Sequence, residues 1–375
     1  MNSKEKRGRK KMVWIILLIV IVCVVIAICV ILPPSMGKMP LIYDDKGNVI
    51  SGSISEKTFL DVDGTKIGML ITGTDETKPV LLFLGGGPGI PEYLLEYKYP
   101  TGLAKEFVVC YLEYRGTSIS YYSNMTAESM TTDRYLSDVV AVTEYLKQRF
   151  NQDKIFLMGH SFGTFIGIQA AYQHPELYHA YIAMSQLTNQ NESEKIAYQY
   201  MQEQYRLADN TKMVSEFEKY AILSSDEAYQ KYFVSSLRDN AMHYLGIGTT
   251  RSIKSVITGI FLPSLRCKVY TPMERINIWR SKGFISTAPV ALERTMFNSF
   301  DEVSSLSIPI YFFGGKYDYT CSYALQKKYY EVLKAPLKGF YTFENSAHSP
   351  LFEEPEKVIE ILKKDALEKS NTLSD

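Results

Sequence analysis

The sequence predicts a doubly wound α/β domain on a mostly parallel sheet, with a helical insertion late in the sheet and one membrane-crossing helix ahead of it. Three observations carry this reading. Short continuous apolar runs such as Val80–Leu84 and Ile155–Met158 suit strands covered on both faces. Amphipathic stretches alternate with them, and Arg134–Phe150 places Tyr135, Val139, Val142 and Leu146 at helical spacing. Met12–Leu32 is a run of 21 residues without a charge.

That apolar run comes first in the chain. At about 1.5 Å per residue a helix of this length spans the ~30 Å hydrocarbon core. Six cations, Lys4, Lys6, Arg7, Arg9, Lys10 and Lys11, stand against Glu5 alone in residues 1–11. Trp14 suits the interface, and Pro33-Pro34 stops the helix. Cationic residues before the helix predict a cytoplasmic tip (1–11), an anchor (12–32) and an extracellular remainder at the cell membrane. A cleaved signal would be shorter and would end in a small-x-small site, which residues 28–36 lack. The whole chain has 41 basic and 41 acidic residues, so the body beyond residue 11 is mildly acidic and shows no footprint for nucleic acid.

Residues 33–55 read as a polar juxtamembrane linker. The core follows as 56–188 and 304–375. Its predicted strands are Thr58–Val62, Lys66–Thr72, Pro79–Leu84, Phe107–Tyr111, Lys154–Met158, Ala180–Met184, Pro309–Phe313 and Lys338–Phe343. Between the last two pairs the rhythm breaks. Residues 189–303 are rich in Tyr, Gln, Met and Ser with helical periodicity, which predicts a cap over the carboxyl ends of the strands.

The chemistry concentrates in Gly159-His160-Ser161-Phe162-Gly163, a G-x-S-x-G sequence between an apolar strand and a helical stretch. A hydroxyl on so tight a turn needs small neighbours, and it needs a base to become nucleophilic. Of five histidines, His160 adjoins the serine and is expected to point elsewhere. His174 and His179 flank a helix-to-strand connection, and His243 lies in the insertion. His348, in a turn-rich loop after the last strand, is the best-placed base. Asp318, after the strand at 310–313, is placed to orient its imidazole; Asp301 and Glu302 precede that strand. Gly85-Gly86-Gly87-Pro88-Gly89 follows another strand, and an amide there can pair with that of Phe162 to bind an oxyanion. Neither a phosphate-loop pattern nor metal-ligand spacing occurs, and five cysteines, two of them in the apolar run, form no disulfide framework. No cofactor is implied.

With these motifs the sequence resembles the α/β-hydrolase superfamily over about residues 56–368, and within it the proline-iminopeptidase-like branch of serine peptidases. Gly86-Gly87-Pro88-Gly89, Tyr114-Arg115-Gly116, the elbow at 159–163 and the cap carry the resemblance. It implies Ser161 as nucleophile, Asp318 and His348 as its partners, and Gly87 and Phe162 as oxyanion amides. The chain departs from that branch at Gly85, at Glu113 and in an elbow typical of esterase-like relatives. The implied substrate is thus a small molecule or short peptide with an ester or amide bond. An aminopeptidase of this kind needs acidic cap residues for the free amine; Glu192, Glu194, Glu203 and Glu274 are the candidates. A silent hydrolase fold serving as a binding module typically lacks a triad member, and none is missing here.

Overall fold

The computed structural model describes residues 10, 12–23, 34–220, 222, 226–233 and 235–375. Eight strands form one sheet: β1 (Ile54–Val62), β2 (Thr65–Gly73), β3 (Val80–Leu84), β4 (Val108–Glu113), β5 (Ile155–His160), β6 (Tyr178–Met184), β7 (Ile310–Gly315) and β8 (Lys338–Phe343). Their spatial order is β1-β2-β4-β3-β5-β6-β7-β8. β1 and β2 pair antiparallel, as do β2 and β4, and every later pairing is parallel. Each predicted strand is present. The parallel strands β3, β4 and β5 are buried along their whole length, because helices cover both faces.

The helices Thr132–Phe150 and Phe162–Gln173 pack on one face, filling it with residues such as Val139, Val142, Ile166 and Ala170. The opposite face is filled by Phe83, Tyr111, Tyr311 and Tyr341 under the C-terminal helices. Crossovers between parallel strands bring the loops after β3, β5, β7 and β8 to one edge, where open α/β sheets bind ligands.

Among the described residues the elements between β6 and β7 are all helices, the first Gln190–Leu207 and the last Ser299–Glu302. This stretch does not pack as one unit. Residues 197–247 enclose a core of their own around Tyr198, Met201, Phe217 and Tyr232. The later residues Cys267, Tyr270, Ile278 and Ile285 join the two cores that flank the sheet.

The expected anchor falls partly outside the described residues, which omit 24–32, and so does most of the basic tip. Residues 12–23 are helical and exposed, and among the described residues no helix is long and apolar enough to cross a membrane. The segment expected to be a linker is docked instead. Ser35 Oγ donates to the Tyr270 carbonyl (2.5 Å), and the Met36 and Gly37 amides donate to the Lys268 carbonyl (2.9 and 3.2 Å). Met39 is buried beside them, and a bridge joins Tyr43 to Val49. These donors satisfy carbonyls in the turn between the helices Leu262–Arg266 and Pro272–Ile285, a role that composition alone does not distinguish from solvation.

Candidate active site

Ser161 occupies the turn between β5 and the helix Phe162–Gln173, with φ 54° and ψ −118°. A non-glycine residue costs about 1–3 kcal/mol in such a conformation, and its surroundings must hold it there. They do so by close approach. A Cβ on Gly163 would lie 1.9 Å from the Leu84 carbonyl oxygen, and one on Gly159 would lie 2.6 Å from that of Gly163. The Ser161 amide donates to the Met184 carbonyl (3.1 Å), tying the turn to β6.

His348, in the loop after β8, faces Asp318, in the loop after β7. Its Nδ1 lies 3.0 Å from each carboxylate oxygen. The carboxylate is itself held: Oδ1 accepts the Thr320 and Cys321 amides (2.9 Å each), and Oδ2 accepts Gln326 Nε2 (3.2 Å). Asp318 is 1% exposed and His348 6%. An ionised carboxylate so placed keeps the Nδ1 proton on the imidazole and leaves Nε2 free to accept one. Ser161 and His348 line the same cavity of about 250 Å³. Among the described residues no hydrogen bond joins them. In the absence of substrate such contacts are commonly loose.

Two amides beside the serine turn, that of Gly87 in the cavity wall and that of Phe162 directly after Ser161, make no hydrogen bond among the described residues. Phe162 N–H is the first of its helix and has no intrahelical acceptor. Gly87 N–H meets no acceptor among the described residues, whereas its neighbour Gly86 N–H donates to Glu92 Oε2 (3.0 Å).

Glu92 and His160 are what the sequence reading missed. The Glu92 carboxylate takes His160 Nδ1 at 2.8 Å, and His160 Nε2 lies 2.8 Å from the His348 carbonyl. A carbonyl can only accept, so Nε2 carries a proton; a carboxylate at Nδ1 calls for a second one there. Burial pushes the His160 pKa down, but the charge and hydrogen bond of Glu92 outweigh it and the net shift is upward. With Glu92 6% and His160 3% exposed, the pair joins the glycine loop to the His348 loop underneath the cavity. An acid after a glycine-rich loop and a histidine ending an apolar run were its only sequence signals.

The remaining histidines stay apart from Asp318. His243 is satisfied by the Asp239 carbonyl (2.7 Å) and Thr249 Oγ1 (3.1 Å), His174 pairs loosely with Glu176, and His179 packs on Phe156. Asp301 lies outside, bonded to Asn298, and Glu302 is exposed. The four acids considered for amine binding are otherwise occupied or remote. Glu194 is fully buried and chelated by Arg238, while Glu274 closes a capping box and pairs with Lys57 (2.8 Å). Glu203 pairs with Arg206, and Glu192 is exposed. Among the described residues no three His, Cys, Asp or Glu cluster as metal ligands.

The sheet order, the serine turn after β5 and the His348–Asp318 pair after the last strands invite comparison with known proteins. A family model described as the α/β hydrolase fold matches residues 79–355. The chain belongs to the α/β-hydrolase family. This hydrolase is 31% identical over 314 residues to the probable aminopeptidase YbaC of Bacillus subtilis (strain 168), across 81% of this chain and 93% of that one. Its fold is similar to the crystal structure of proline iminopeptidase from Mycobacterium smegmatis, with 14% identity, a TM-score of 0.58, and coverage of 84% of this chain and 100% of that chain. It is also similar to VinJ, with 17% identity, a TM-score of 0.59, and coverage of 84% and 98%. At these two identities the likeness is one of fold.

Proposed function

We propose that this α/β-hydrolase is a serine hydrolase that cleaves a small amide or ester through an acyl-enzyme, with aminopeptidase action the favoured form. Ser161 Oγ attacks the carbonyl carbon while His348 Nε2 takes its proton. The oxyanion forms against the amides of Gly87 and Phe162. His348 then returns the proton to the leaving group, and water, activated by the same imidazole, releases the acid. Asp318 holds the imidazole in the tautomer this requires.

The observation that carries the reading is the His348–Asp318 pair at 3.0 Å, beside a strained serine turn and two unengaged amides. The relative described as a probable aminopeptidase favours amide over ester substrates. The uncharged run 12–32 behind a basic tip supports a single anchor with the catalytic body outside the cell.

The test is labelling of the full-length protein by a fluorophosphonate probe, beside Ser161→Ala. Labelling that disappears in the variant is expected, together with hydrolysis of prolyl or alanyl amides. A folded wild-type protein that takes up no probe would overturn the serine mechanism. Protease accessibility of the body in intact cells tests the anchor, which predicts digestion from outside and retention in membranes after carbonate washing.

A further inference from the structure

Arginines and lysines around the catalytic cavity are unequally compensated. Arg238 is fully occupied: its Nε and Nη2 grip Glu194, and its Nη1 reaches Asp239 Oδ1 at 2.7 Å. Arg294, on the helix Pro289–Met296, has no such partner. Its Nη1 donates to the Gly87 carbonyl (3.3 Å), its Nε is buried without an acceptor, and its guanidinium lies 5.2 Å from the centre of the Phe233 ring. No carboxylate among the described residues forms an ion pair with it. Lys282 is also without a carboxylate, resting near the Trp279 ring, and its backbone packs against Gly89.

Both cations line a second cleft of about 560 Å³ on the far side of the glycine loop. The cleft shares Gly87, Pro88, Asp239 and Lys282 with the catalytic cavity, so the two spaces meet across the proposed oxyanion loop. Asp239 is the one carboxylate lining the cleft among the described residues, and Arg238 already holds it. Arg294 is half-buried: its Nε is shut off from solvent without an acceptor, while the hydrogen bond from its Nη1 is exposed, and a cation so placed gains from an anionic partner. Burial, reinforced by the nearby charge of Arg238 and only partly opposed by Glu194, lowers the pKa of Arg294.

We infer that this cleft binds the free carboxylate of the leaving group, with Arg294 as its main anchor and Lys282 as its second. The preferred substrates are then short peptides whose chain ends just beyond the scissile bond. The acyl residue would sit in the apolar half of the catalytic cavity, against Leu94, Leu95, Ile260 and Pro263. The carbonyl would sit at the Gly87 and Phe162 amides, and the terminal carboxylate would reach Arg294 beyond Gly87. An arginine offers a carboxylate two parallel donors, a geometry a peptide amide cannot match.

The inference rests on the serine-hydrolase reading, and the two fail differently. Full-length protein in detergent is assayed on alanyl and prolyl dipeptides and on the same dipeptides as C-terminal amides. Their protection of Ser161 against the fluorophosphonate probe is measured in parallel. The free acids are expected to exceed the amides in kcat/KM, or in protective potency, by about tenfold or more. Arg294→Gln should bring that ratio close to one, chiefly through KM, while Arg294→Lys keeps part of it and Lys282→Gln lowers it less. Equal handling of acids and amides by the wild type overturns the inference. So does a ratio that survives in both Arg294→Gln and Lys282→Gln. Failure of the probe to label wild-type protein overturns the serine mechanism instead.

Discussion

Glu92 is the position at which the structure makes its sharpest prediction. Its carboxylate accepts the Gly86 amide at 3.0 Å and pairs with His160 Nδ1 at 2.8 Å; Glu92 and His160 are buried and Gly86 is half-buried. Glu92→Ala strands both groups. Each buried donor left unpaired costs about 1–3 kcal/mol, so unfolding free energy should fall by about 2–6 kcal/mol. Gly86 is also the neighbour of Gly87, and a displaced loop carries the Gly87 amide off the oxyanion position. Loss of one such donor typically lowers kcat by about 100-fold or more. Glu92→Gln should be far milder. Its Oε1 can accept Gly86 while its amide donates to a neutral His160 whose Nε2–H still reaches the His348 carbonyl.

The sign of the pH dependence follows from the same pair. The folded pKa of His160 is raised, so its contribution to stability is complete below the ordinary value of 6.5 and is lost as pH rises through the higher folded value. The wild-type advantage over Glu92→Gln should therefore shrink with rising pH. Urea midpoints at several pH values and steady-state kinetics on a chromogenic amide measure both effects. Ala and Gln variants that behave alike, or an Ala variant with wild-type kcat, would refute the reasoning.

Asp318→Asn turns an amide NH₂ toward groups that all donate, so kcat should fall by roughly 10³–10⁴ with little change in KM. Burial pushes the Glu113 pKa up to about 7 despite the hydrogen bond from Tyr270. Between 4.5 and 7 the folded state then holds more protons than the unfolded one, and stability falls as pH rises by up to roughly 3 kcal/mol. Glu113→Gln, which still accepts from Tyr270, should flatten that slope in Tm measured from pH 4.5 to 8. Gly163→Ala should yield no folded protein, since its Cβ would meet the Leu84 carbonyl. Gly283→Ala, in open space on a helix, should add about 0.5–1 kcal/mol in urea unfolding.

Buried parallel strands announce themselves, because both faces demand apolar residues and the run is unbroken; β3 and β5 were legible for that reason. Their ends were less so. β4 continues through Glu113, whose charge reads as a boundary but whose carboxylate is buried against Tyr270. β1 begins at Ile54 rather than at Thr58, its Ser-Glu-Lys start being ordinary for a half-exposed edge strand. Ser161, Asp318 and His348 were nameable because a turn motif and chain order constrain them locally. Glu92, Arg238 and Arg294 were not. Their partners lie 68, 44 and 207 positions away along the chain, and nothing in their local composition separates them from solvated charges. The Glu194 carboxylate, one of four candidates for an amine, proved to belong to Arg238 for the same long-range reason.

The division of the helical region into two packing units bears on how the site is reached. Residues 197–247 hold together around their own tyrosines and touch the sheet domain through Tyr317 and Tyr319, whereas the helix Pro272–Ile285 is continuous with the main cores and is bound to the chain's early segment through Lys268 and Tyr270. The first part thus has a core separate from those of the sheet, whereas the second shares them. The cavity at Ser161 is therefore walled from both units: Arg238, Asp239 and Met242 come from the first, and Lys282 from the second. Amide exchange should divide along that seam, faster in residues 197–247 than in 272–285, since the first group can open without unpacking the sheet's own cores.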